Sequence, residues 1–186
     1  MADIRVASRY VKSLLDLAVE QGAVDQVDQD MRLFSNVCAE NRAFALMLKS
    51  PVITHHKKKA ILDKIFAGKV SKLSMSIFKI ITEKNREPLL QIIAKEFHNA
   101  YNVYKNIGKA SVTTAAPLDA KLKAEIEAIA QKLSGKKDVE LEQKVNADLI
   151  GGFILHVGDK QIDSSVKTKL RTLRTKFSEN PYVKEF

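Results

Sequence analysis

From residue 4 to about 107, apolar residues recur every three or four positions, a spacing that predicts a run of amphipathic helices. Ile4, Ala7, Val11, Leu14 and Ala18 form the first stripe, widened by Tyr10 and Leu17, and Gly22 supplies a stop. Val24, Val27, Met31, Phe34 and Cys38 mark a second helix, with Asp25, Asp28 and Asp30 near its start, where the helix dipole favours negative charge. A short third helix around 42–49 is cut at Ser50-Pro51, because the residue before proline avoids the helical region. Thr54 can cap a fourth helix that buries Ile61, Leu62, Ile65 and Phe66 and stops at Gly68. A fifth begins near Ser71 and carries Leu73, Ile77, Ile80 and Ile81. Lys84-Asn85-Arg86-Glu87 ends it, and Pro88 suits the first position of a sixth helix reaching past Phe97 and Tyr104 to Ile107.

At Gly108 the pattern changes. Residues 109–115 are β-prone, and after Pro117 the positions Leu118, Leu122, Ile126, Ile129 and Leu133 predict one more helix, stopped by Gly135. The period then falls to two: Val139, Leu141 and Val145 alternate with polar residues, and Phe153, Leu155 and Val157 share one strand face. Gly158-Asp159-Lys160 is a turn leading to Gln161-Ile162, so a short antiparallel sheet is expected. Asp163, Ser164 or Ser165 caps a last helix whose Val166, Leu170, Leu173 and Phe177 are expected to face inward, and the tail 178–186 reads as loose. The expected fold is mainly α: a six-helix bundle over residues 1–107, followed by a smaller α+β domain over 108–186.

Composition adds limits rather than chemistry. The 186 residues are 45% hydrophobic, and no apolar run approaches the roughly 20 residues that span a bilayer. The start has an early acid and no apolar stretch, so it reads neither as a secretory signal nor as an Arg-rich transit peptide. A single cysteine, Cys38, forms no intrachain disulfide and reads as a small core residue in a reducing compartment. The net charge of +9 leaves nucleic acid, an anionic surface or an acidic protein open as partners. The 31 basic residues are scattered among 22 acids, there is no Trp, and the aromatics fall on apolar stripes, a pattern that speaks against nucleic-acid binding.

No catalytic constellation emerges. His55 and His56 are adjacent and so diverge by about 100° on a helix, which is not the i, i+4 pair of a helical metal site. His156 alternates with Leu155 and Val157 and falls on a surface or edge position. Gly151-Gly152 matches neither phosphate-binding glycine pattern and reads as a bulge or a close backbone approach. Lys57-Lys58-Lys59 suits a solvated face, and the cations of the last helix form a better patch. Neither cofactor nor metal is expected.

Several blocks resemble the delta subunit family of F-type ATP synthases, whose mitochondrial counterpart is the oligomycin-sensitivity-conferring protein. The segment from Ala7 to Ala18 resembles the family opening A-x-x-Y-A-x-A-L-F-x-L-A, with Val11 in place of a common Ala. Lys58-Lys59-Ala60-Ile61-Leu62 is similar to a fourth-helix segment, and Thr82-Glu83-Lys84-Asn85-Arg86 to the A-E-N-x-R break. The most specific block runs from Val145-Asn146-Ala147-Asp148-Leu149-Ile150-Gly151-Gly152-Phe153 through Gly158-Asp159 to Ile162-Asp163-Ser164-Ser165-Val166, similar to D-x-x-L-I-G-G through G-D-x-x-I-D-x-S.

The resemblance implies a non-catalytic stator subunit, linking the catalytic head to the peripheral stalk so that proton-driven rotation is coupled to ATP synthesis. It implies that the helical domain holds N-terminal helices of the alpha subunits in a groove walled by the first and fifth helices. Tyr10, Ser13, Leu14, Leu17, Ile77, Ile80 and Ile81 are the expected groove positions. It also implies that the C-terminal domain meets the stalk b subunits, and charge and position single out Lys167, Arg171, Arg174 and Phe186 for that contact. The expected location is peripheral, at the cytoplasmic face of a bacterial cell membrane, without direct insertion.

Overall fold

The computed structural model describes residues 2–178, with side chains from Ile4 onward, so Phe186 and the expected loose tail lie outside the described residues. The chain divides into two compact units, Met1–Tyr104 and Lys105–Phe186.

The first unit contains α1 (Ala2–Glu20), α2 (Val24–Glu40), α3 (Arg42–Lys49), α4 (His55–Phe66), α5 (Lys72–Glu83), a 3-10 turn at Glu87–Leu89 and α6 (Leu90–Tyr104). Local chemistry sets several of these ends. Gly22 adopts φ +65°, a left-handed conformation that costs glycine little, and there α1 stops. Asn41 accepts the Phe44 N–H at 3.2 Å and Ser71 accepts the Ser74 N–H at 3.2 Å, satisfying donors that the first helical turn leaves free. Thr54 sits at the start of α4 in extended conformation, but its side chain makes no capping hydrogen bond.

The six helices share one core. Phe34 lies 5.0 Å from Phe78 and 5.5 Å from Phe66, ring centre to ring centre, and all three are fully buried. Burying such a side chain contributes about 1.5–3 kcal/mol, so these rings anchor α2, α4 and α5 to one another. α6 packs against both α1 and α2 through Ile93, Ala94 and Phe97.

The second unit runs β1 (Gly108–Thr114), α7 (Ala120–Ser134), β2 (Val139–Val145), a 3-10 turn at Ala147–Leu149, β3 (Phe153–Val157), β4 (Lys160–Asp163) and α8 (Val166–Ser178). Its four strands are ordered β2-β1-β3-β4, with β1 parallel to β2 and antiparallel to β3. The expected antiparallel sheet is therefore corrected to a mixed one. The reason is α7: a helix between β1 and β2 carries the chain back to its starting edge, so the second strand enters in the same direction as the first. α7 covers one sheet face, and Ala110, Val112, Ile126, Ala130, Leu155 and Val157 form the core between them.

The expectation for α8 is corrected too. None of its residues is buried, and Val166, Leu170, Leu173 and Phe177 are 37%, 52%, 48% and 86% exposed. Periodicity reports that a helix has an apolar face, not that its own chain covers that face.

Candidate functional site

Of the side chains expected in the α1/α5 groove, Tyr10 is half-buried, and its hydroxyl accepts a 3.0 Å hydrogen bond from Arg86 Nη1, which ties α1 to the end of α5. Ser13 is exposed and turns its hydroxyl back to the Arg9 carbonyl at 3.1 Å. Leu17 is 45% and Ile80 47% exposed, while Ile77 is half-buried against the core. Leu14 and Ile81 belong to the interior instead, at 1% and 0% exposure. Leu14 continues the Ala7, Val11 and Ala18 line that packs inward, and Ile81 shares the inner face of α5 with Phe78 and Thr82.

Lys167, Arg171 and Arg174 are exposed on α8. The helix begins on a dense cap. Ser165 accepts the Thr168 N–H at 3.3 Å, and Asp163 accepts both the Ser165 N–H at 2.9 Å and the Thr168 hydroxyl at 2.8 Å. Of the three residues that could cap this helix, Ser165 does so, with Asp163 bracing it. Hydrogen bonds from Ser165, then from Thr168, with Arg171 adding a favourable charge, hold the Asp163 carboxyl below the usual aspartate range.

Gly152 makes the turn into β3 possible. Its φ is +77°, and a Cβ there would run into the Ser164 carbonyl, so β3 and the residues after β4 cross at a distance only glycine permits. The expectation of a close backbone approach thus holds at Gly152. Beside it the second unit carries an apolar cavity of about 390 Å³, whose walls include Leu118, Leu122, Ile126, Ile129, Ile150 and Phe153. Nothing in the periodicity pointed to Ile150, which is 68% exposed just after the 3-10 turn.

Several polar residues have roles that the sequence pattern did not disclose. Lys58 is buried, which corrects the solvated reading of Lys57-Lys58-Lys59; its Nζ donates to the Leu48 carbonyl at 3.1 Å and lies 3.7 Å from Glu87 Oε2. Lys59 bonds Glu83 at 2.7 Å, linking α4 to α5, while Lys57 is exposed. Asp30 Oδ2 accepts from the Ser71 N–H at 2.8 Å and the Ser74 hydroxyl at 2.7 Å, joining α2 to the start of α5. Asp28 bonds Arg32 at 2.7 Å and lies 2.9 Å from His98 Nδ1 on α6. A signal existed for two of them: Lys58 is four residues before Leu62, and Asp28 lies on the buried Val24, Val27 and Met31 face.

These groups build structure rather than a reaction centre. Among the described residues no three His, Cys, Asp or Glu side chains gather as metal ligands. Burial pushes the Cys38 thiol up to about 11, which keeps it protonated and poorly nucleophilic near neutral pH. His156 is exposed, and the rings of His55 and His56 lie 4.0 Å apart, tilted by 40°, in the first turn of α4. No helix among the described residues is long and apolar enough to cross a membrane.

Comparison with known proteins brings these surfaces under one family. Residues 6–177 match the family model described as ATP synthase delta (OSCP) subunit. An ATP synthase subunit delta of Cytophaga hutchinsonii is 38% identical over 179 residues, covering 96% of this chain and 97% of the relative. Another from Christiangramia forsetii is 36% identical and covers 98% of each chain. A chain in the cryo-EM structure of the Toxoplasma gondii mitochondrial ATP synthase hexamer shares the fold, with a TM-score of 0.71 at 23% identity, over 94% of this chain and 98% of that one. The chain belongs to the ATP synthase delta (OSCP) subunit family, a structural component of the F-type ATP synthase.

Proposed function

We propose that this chain is a stator link: its first unit holds N-terminal helices of the alpha subunits on the catalytic head, and its second meets the b subunits of the peripheral stalk. It transmits force and turns over no substrate. Its place is then peripheral, at the cytoplasmic face of a bacterial membrane, without insertion. The observation that carries this reading is that each unit keeps apolar side chains beyond those its own core consumes. Leu17 and Ile80 supply them in the first unit, with Tyr10 and Ile77 half-covered beside them, and Ile150 and the α8 stripe in the second. An amphipathic helix laid into a groove needs such surplus positions on the groove walls.

α1 packs mainly on α6 and α5 mainly on α4, so the outer sides of α1 and α5 are free to form such walls. The groove residues are then Tyr10, Ser13, Leu17, Ile77 and Ile80, with Leu14 and Ile81 supporting them from beneath. The test is titration of the full chain with a synthetic alpha-subunit N-terminal peptide. Leu17→Asp combined with Ile80→Asp is expected to weaken binding at least about tenfold, since burying unpaired charge in an apolar contact costs more than about 1.4 kcal/mol. Helical circular dichroism should stay unchanged, because both positions are already nearly half exposed. Unaltered peptide affinity in the double variant would exclude the groove.

A further inference from the structure

We infer that the second unit captures one amphipathic helix whose apolar stripe is bordered by acidic side chains, bound on a surface that joins the Leu122/Ile150 cavity to α8. The inference rests on the stalk reading above and names the chemistry of the segment bound.

Four observations converge on this surface. The first is the cavity itself, about 390 Å³, with walls of Leu118, Leu122, Ile126, Ile129, Ile150 and Phe153. The second is Ile150, held at φ +65° while 68% exposed. A β-branched residue is strained in that region, and the strain here presents an apolar side chain to water beside the cavity, where neither the fold nor solvation gains from it. The third is continuity. A Cβ built on Gly151, which lines the cavity, would lie 3.2 Å from Val166 Cγ2, so the α8 stripe begins where the cavity ends.

The fourth is charge, and it selects the occupant. α8 holds Lys167, Lys169, Arg171, Arg174 and Lys176 and no acid. At about 100° per residue, Lys169 and Lys176 fall on one side of the Val166/Leu170/Leu173/Phe177 stripe, and Lys167 and Arg174 on the other. Thr168, Thr172 and Thr175 take the back of the helix. A surface helix of a globular protein normally carries its charges opposite the apolar face, whereas α8 carries them beside it, as helices do when flanking charges choose a partner helix. Cations on both borders match acids on both borders of the incoming stripe. A second copy of this chain would bring like charge against like.

The experiment presents the full chain with two synthetic helical peptides that share one leucine stripe, flanked by Glu in one and by Lys in the other. A third arm offers phosphatidylglycerol vesicles. At low salt the Glu peptide is expected to bind roughly tenfold tighter than the Lys peptide, the product of a few exposed ion pairs. Added salt should shrink the difference. Lys169→Glu with Arg174→Glu, one on each border of the stripe, should reverse the preference, and both positions are exposed and touch no core, so folding is not at stake. Ile150→Asn should weaken both peptides alike, with the NMR spectrum of the remaining residues preserved. Equal affinity for the two peptides, binding of neither, or vesicle binding in place of peptide binding would overturn the inference.

Retention of the charge-reversed chain on stalk-containing membranes separates this inference from the reading beneath it. If membrane retention depends on α8 but the peptides are not distinguished, the acidic-helix chemistry fails and the stalk contact stands. If the peptides are distinguished and retention ignores α8, the stalk assignment fails and the chemistry stands.

Discussion

Lys58 shows how far a single residue can depart from the company it keeps. Its neighbours in the run Lys57-Lys58-Lys59 reach solvent or a surface carboxylate, but Lys58 lies on the inner stripe with Leu62 and Phe66, at 4% exposure. There it meets the Leu48 carbonyl at the end of α3 and the equally buried Glu87. Taking two charges out of water costs several kcal/mol, which the pair offsets only while both members remain. Lys58→Met should therefore destabilise the first unit by about 3–5 kcal/mol in urea unfolding, because Glu87 is left buried without its cation. Replacing Glu87 by Leu in the same chain should recover most of that loss. A single-variant cost below about 1 kcal/mol would mean that the pair contributes no coupling. The identity of this lysine was legible only through its helical register, since three consecutive lysines are chemically alike. The same holds for Asp28 and Asp30: their nearness to a helix start explains a carboxylate at the surface, whereas these two are buried and hold neighbouring helices.

At the scale of elements, α8 is the piece whose stability is most local. With no buried side chain, it depends on its cap and on its own hydrogen bonds. Asp163 has a folded value below its ordinary one, so it contributes stability above the ordinary value of 3.8 and loses it as pH falls through the lower folded value. The expected outcome is fraying of the first turn of α8 in that acid window, read from the Thr168 and Lys169 amide signals by NMR. Asp163→Asn should show a frayed turn already at neutral pH and no acid transition there. A first turn equally ordered on both sides of the window would remove Asp163 from the cap. Element types were largely legible because spacing follows burial: period three to four across α1–α6, period two in β2 and β3. The strand order was not legible. Period two says which side of a sheet a residue faces and nothing about which strand lies beside it, and only the length of the β1-to-β2 connection favours a parallel pair. Periodicity in α8 was read correctly, but its partner was sought within the chain.

For the whole molecule, two contacts carried on one chain should reinforce each other, because the first holds the second at a high effective concentration. A chain weakened only at Leu17 and Ile80 should stay on washed membranes at moderate dilution and leave on further dilution. Combining those changes with Lys169→Glu and Arg174→Glu should abolish retention at every dilution, as measured by immunoblot of the pellet. If the single-surface variant is lost as completely as the combined one, the two contacts do not act together. The change of period at Gly108 falls just past the division between Tyr104 and Lys105, and the family was readable in the Gly151-Gly152 block. Most of the apolar positions that the molecule leaves uncovered were not, because a sequence records that a residue is greasy and not whether its own fold has room for it. The mixed sheet has one more consequence, which is mechanical. Strand β1 enters directly after the residues that follow α6, and it is laced on one side to seven residues of β2 and on the other to five of β3. A pull on the chain at Gly108 runs along β1, so its ladders must shear together instead of opening one bond at a time. The strand that receives load from the joint is the one the sheet grips from both sides.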